Sequence, residues 1–130
     1  MADVNRGNRP LSPFMLGQVY RLQITSVMSL LHRITGIGVA FGAVLGVWWF
    51  LAAASGPGYF QLVDDLLTSW IGGLVMLGML VALWYHFCNG IRHLVWDAGH
   101  GFDLASVTRS GMIACAGTAV LTILTLILAW

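Results

Sequence analysis

The chain has 130 residues, of which 58% are hydrophobic and 8% charged. A soluble domain carries about a quarter charged residues, so water is not the main solvent of this one. The formal net charge of +1 gives no support to nucleic-acid binding, and the length suits a single domain over residues 1–130.

The first residues, Met1 to Arg6, are polar and short. They have neither the apolar core of a signal peptide nor a long Arg- and Ser-rich organellar leader. This favours insertion through the first apolar helix, and a bacterial inner membrane over a mitochondrial one. Residues 11–22 follow Pro10, contain Pro13 and mix polarity. They read as an interfacial stretch within a cytoplasmic segment, residues 1–25.

Three windows are long and apolar enough to cross a bilayer, which takes some 20 residues of helix. They run from Ile34 to Val63, Leu66 to Tyr85 and Ser110 to Trp130, and none of the three holds a charge. The breaker cluster Ser55-Gly56-Pro57-Gly58 should stop the first helix. Arginine and histidine at helix ends snorkel, so the spans should extend to residues 26–54, 66–96 and 106–130. The predicted fold is an all-α membrane protein with three transmembrane helices, part of a larger bundle.

Arg6, Arg9, Arg21 and Arg33 precede or open the first span, and Arg92 and Arg109 flank the second connection. The loop after span one carries Asp64 and Asp65 alone. The positive-inside rule therefore places the N-terminus in the cytoplasm or matrix and the C-terminus outside.

Cys88 and Cys115 lie in apolar runs and read as small packing residues rather than a disulfide framework. Gly36, Gly38, Gly42 and Gly46 read as a helix-packing seam for a partner chain. Trp48, Trp49, Trp70 and Trp130 should sit in an outer aromatic belt.

Ionisable residues inside a span are costly and point to function. His86 lies 11 residues before Asp97, about 16 Å along a helix. His86, Gly90, His93 and Asp97 share one face, and Gly90 leaves space for a flat macrocycle or a neighbouring helix. Span one offers a matching stripe of Ser29, Arg33, Gly36 and Ala40, with His32 one turn before Gly36. Three chemistries suit this cluster. His86 could be an axial haem ligand, with Arg33, His32 or Arg92 for the anionic propionates. The four histidines could hold zinc or two metals, but no H-x-x-x-H pair or carboxylate dyad occurs. The plain reading is that they hydrogen-bond other helices or lipid headgroups. His93 lies on the same face as His86, so a second haem ligand would have to come from another chain.

Two stretches together carry a resemblance. The first is Arg9-Pro10-Leu11 followed by Ser29-Leu30-Leu31-His32-Arg33-Ile34-Thr35-Gly36. The second is His86-Phe87-Cys88-Asn89-Gly90-Ile91-Arg92-His93-Leu94-Val95-Trp96-Asp97-Ala98-Gly99. The chain resembles the cytochrome b subunits of succinate dehydrogenase, the larger membrane anchor of respiratory complex II. It departs at Phe14, where many members have histidine after Ser-Pro.

The resemblance implies that His86 is the axial ligand to the iron of haem b. It implies that Ser29 and Arg33 line a ubiquinone pocket, with menaquinone the alternative quinone. It places His32, Arg33, Arg92 and His93 in the vicinity of the haem propionates, with Asp97 a further signature residue. The implied partners are a flavoprotein subunit, an iron–sulfur subunit and a second small anchor subunit that supplies the other haem histidine. Two alternatives stand beside this: a fumarate reductase anchor, and a haem-free structural anchor. A transporter would need a polar stripe through the whole bilayer, and the outer halves of the spans are apolar.

Overall fold

A computed structural model describes residues 22–129. The predicted interfacial stretch lies almost wholly outside the described residues, as do Arg6, Arg9, Phe14, Arg21 and Trp130. Four helices follow in order: α1 (Ile24–Ser55), α2 (Pro57–Thr68), α3 (Trp70–Asp97) and α4 (Leu104–Ala129). Three of them, α1, α3 and α4, are long and apolar enough to cross a membrane. At 1.5 Å per residue they run roughly 48, 42 and 39 Å, more than the hydrocarbon core requires. Central α3 packs against α1 and α4, which touch each other less. Large apolar side chains such as Ile37, Val44 and Phe50 are exposed along the bundle, as suits a lipid-facing surface.

The short helix α2 was not anticipated from the sequence. Gly56 adopts φ 128° and ψ 163°, a backbone state open essentially to glycine, and Pro57 then starts α2 at its first turn. The breaker cluster thus redirects the helix instead of ending helical structure. α2 is held to α1 by its polar and aromatic groups. Trp49 Nε1 donates to Asp64 Oδ1 at 3.0 Å, Trp48 Nε1 donates to Tyr59 Oη at 2.8 Å, and Trp49 meets Phe60 edge to face. Ala52 and Val63 are fully buried.

Ser69 separates α2 from α3. Its backbone N–H donates to the Asp65 carbonyl, and its hydroxyl accepts from the Gly72 N–H at 3.1 Å. One residue therefore ends one helix and caps the next. Residues 66–68, expected at the start of the second span, belong to α2, so the helix that follows begins at Trp70.

At the other end, Asp103 caps α4 by accepting from the Ser106 backbone N–H at 2.9 Å. That bond, with one from the Ser106 side chain, holds the Asp103 carboxyl below its usual range.

The predicted glycine seam is used within the chain. Side-chain atoms of α3 come close to three of the four positions: His86 at Gly36, Ala82 at Gly38, and Met79 at Gly42. Only Gly46 faces open space. On α4, a methyl group at Gly111 would meet Met28 Sδ at 2.7 Å, so α1 and α4 also approach through a glycine. Cys88 and Cys115 are both free thiols.

A Cβ on Gly72 would collide with the carbonyl oxygens of Leu66 and Leu67, which are backbone and cannot rotate away. Gly72→Ala should therefore destabilise the α2–α3 elbow by about 1–3 kcal/mol. Thermal denaturation of the purified protein checks this; an unchanged midpoint would show that the elbow opens freely.

Candidate functional site

α1 and α3 bring three imidazoles together. The rings of His32 and His86 stack with centroids 4.0 Å apart and planes 6° from parallel. His93 stacks on the other side of the group, 4.8 Å from His32. Two of the three come from α3 because residues 86 and 93 lie seven apart, two turns along one face. His32 reaches between them from α1.

The orientation of His86 is set by backbone. Its Nδ1 lies 3.0 Å from the His32 carbonyl oxygen. A carbonyl only accepts, so this nitrogen donates a proton to it, and the tautomer so selected is the one with its lone pair on Nε2. The Thr35 hydroxyl, 3.5 Å from Nδ1, donates to the Leu31 and His32 carbonyls at 2.8 and 3.0 Å. His93 Nδ1 makes a similar bond, 2.7 Å from the Asn89 carbonyl.

Glycine makes room for this arrangement. A Cβ on Gly36 would stand 3.0 Å from His86 Cε1. Gly90, one turn after His86, has nothing within 4 Å of where its side chain would be. His86 thus has one ring nitrogen held by backbone, with an unfilled position one turn along the same helix at Gly90. Stacked rings do not converge their lone pairs on a point. Accordingly, no group of three or more His, Cys, Asp or Glu among the described residues is placed to hold a metal ion. His32 Nδ1 is buried with no hydrogen-bond partner among the described residues.

The remaining expected residues divide. Ser29 and Arg33 stand one turn apart on α1 and line an open depression of about 390 Å³ with Thr25, Ser26 and Leu30. Arg33 is exposed and Ser29 half-buried. Arg92 is not brought to the imidazoles. Its Nε donates to Ser110 Oγ and its Nη2 to the Val107 carbonyl, both at 3.0 Å and both on α4. Asp97 is exposed at the end of α3.

Two neighbours were missed in the sequence. Tyr85 Oη donates to the Met28 carbonyl at 3.4 Å, and Asn89 is fully buried with its Nδ2 donating to the Tyr85 carbonyl. Asn89 is a polar residue in an apolar helix three positions after His86, a signal that could have found it.

The helices and the imidazole cluster define a class: a three-span membrane subunit with polar chemistry gathered near one end. Residues 5–125 match the family described as the succinate dehydrogenase/fumarate reductase transmembrane subunit, and the chain belongs to that family. It is 47% identical over 127 residues to the succinate dehydrogenase cytochrome b556 subunit of Paracoccus denitrificans, covering 98% of this chain and 96% of that one. The corresponding subunit of Rickettsia conorii is 35% identical, covering 89% of both chains. The mitochondrial cytochrome b560 subunit of Sus scrofa is 38% identical over 82% of this chain and 63% of its own length.

Gly36→Val should push the His86 ring away from α1 and lengthen its bond to the His32 carbonyl. Nitrogen NMR of labelled histidine should then show loss of the hydrogen-bonded Nδ1–H signal. An unchanged signal would mean that α1 yields instead.

Proposed function

We propose that the chain is the haem b-binding membrane anchor of a succinate:quinone oxidoreductase in a bacterial inner membrane, with its N-terminus and the α3–α4 turn on the cytoplasmic side. In this reading a flavoprotein subunit oxidises succinate, and an iron–sulfur subunit passes the electrons to quinone at the membrane surface. A second small anchor subunit completes the helical bundle and supplies the other haem histidine.

The observation that carries the reading is the His86 imidazole, oriented by the contact of its Nδ1 with the His32 carbonyl. Haem b supplies a one-electron redox centre when bound. His86 would be the residue of this chain that holds it. The carbonyl bond orients the ring and makes its nitrogen more basic. His32 and His93, stacked in the same group, and Arg33, next to His32 in α1, would be this chain's groups for anionic propionates. Arg92 bonds to α4 and shares the Trp96 ring with His93.

Ser29 and Arg33 form this chain's share of the quinone site. The Ser29 hydroxyl is suited to donate to a quinone carbonyl, and the Arg33 cation to stabilise charge that develops on the oxygen during reduction. Ubiquinone is the expected substrate. The family description also names fumarate reductase. Quinone extraction separates the two, because a complex that yields mainly menaquinone would support the reductase.

His86→Ala should abolish the b-type absorption of the reduced complex while the chain stays inserted. A normal spectrum would overturn the ligand assignment. Ser29→Ala and Arg33→Leu should lower quinone reduction by about tenfold, the scale of one lost charge-assisted contact. Succinate oxidation with an artificial acceptor should change far less. Equal loss in both assays would indicate failed assembly and remove the pair from the quinone site.

A further inference from the structure

Arg92 is the one buried charged residue among the described residues, at 6% exposure. Its contacts are all neutral: the Ser110 hydroxyl, the Val107 carbonyl and the Trp96 ring, whose centroid lies 4.0 Å below the guanidinium carbon. No carboxylate pairs with it among the described residues. Burying a cation without a counter-charge is expensive, and a guanidinium meets that cost by engaging an anion in a bidentate fork.

Arg92 lines a cavity of about 480 Å³ between α3 and α4. The cavity has two ends of different chemistry. Near the α3–α4 turn, Trp96, His100 and Ser110 stand with Arg92. Further along, the walls include Cys88, Ala114 and Gly117. From Ser106 to Gly117, both in the lining, α4 advances 11 residues, about 16 Å. The furrow exists because α4 presents small residues towards α3 at Ser110, Ala114 and Gly117.

We propose that this cavity binds one anionic phospholipid, its phosphate against Arg92 and one acyl chain laid along α4 past Ala114. Basic pockets between membrane helices recognise anionic headgroups in this way. A free phosphate would meet the cation and leave the apolar length empty. A zwitterionic lipid brings its own cation to a site that already has one. A partner helix, about 10 Å across with its side chains, can lie over a cavity of this size but cannot enter it.

The test uses the intact complex, delipidated in detergent and titrated with phosphatidylglycerol or phosphatidylcholine under native mass spectrometry. Wild type should bind phosphatidylglycerol about tenfold more tightly. Arg92→Gln should erase that preference and Arg92→Lys should restore part of it. Ala114→Leu keeps the cation but fills the furrow, and it should weaken binding of both lipids by about tenfold. Inorganic phosphate should not compete.

Equal affinity of wild type for the two lipids overturns the proposal. So does a preference that survives Arg92→Gln, unaltered binding in Ala114→Leu, or displacement of lipid by phosphate alone. If Arg92→Gln fails to assemble, the wild-type preference and Ala114→Leu still decide. A partner chain sealing the cavity would appear as wild type binding neither lipid, which also overturns it.

Discussion

The hydrogen bond between His86 Nδ1 and the His32 carbonyl exists only because α1 and α3 approach each other at Gly36. Lipid tails are as apolar as leucine, so membrane helices gain little from hiding oily side chains from one another. Contact must come from close packing, and small residues permit it. Gly36, Gly38 and Gly42 let α3 settle against α1 through His86, Ala82 and Met79. A Cβ at Gly36 would stand 3.0 Å from His86 Cε1, so a larger residue there presses on the ring that makes this bond. The stacking of His32 and His93 follows from the same approach, since both depend on where the α1 backbone lies.

α3 then serves two neighbours at once. An α-helix turns 100° per residue, so adjacent positions face different ways. His93 faces α1, while Arg92, one position earlier, bonds across to Ser110 and Val107 on α4. Tyr85 and His86 both turn to α1: Tyr85 is buried and reaches the Met28 carbonyl, and His86 joins the imidazole stack. The signature stretch reads as one polar block in the sequence. In space it supplies two sites, one against each flanking helix.

Much of this was legible beforehand. Three apolar windows announced the long helices, because a helix is the structure in which a single apolar segment satisfies its own backbone in a bilayer. The four-three-four spacing of His86, Gly90, His93 and Asp97 described a true helix face. Other features depended on tertiary choices that spacing does not encode. α2 was hidden because a Gly-Pro pair signals a break, and only the Gly56 backbone angles show that helix resumes at once. The glycine seam was read correctly as close packing, but a seam does not name its partner, and here the partner is mostly α3. The direction of Arg92 was illegible for a related reason. A long flexible side chain goes where acceptors lie, and those acceptors sit 15 and 18 positions later.

The end of the bundle remote from the imidazoles has its own part in this geometry. α1 is 32 residues long, and a small rotation about its axis would carry His32 off the face of His86. Trp48 and Trp49 resist that rotation because both indole N–H groups are tied to α2, one through Tyr59 and one through Asp64. α2 is in turn joined to α3 through Ser69, with only glycine tolerated at position 72. α1 is therefore fixed at both ends: by glycine contacts beside the histidines, and by aromatic hydrogen bonds at the α2 elbow. The apolar far half thus sets the rotation at which the polar near half can form.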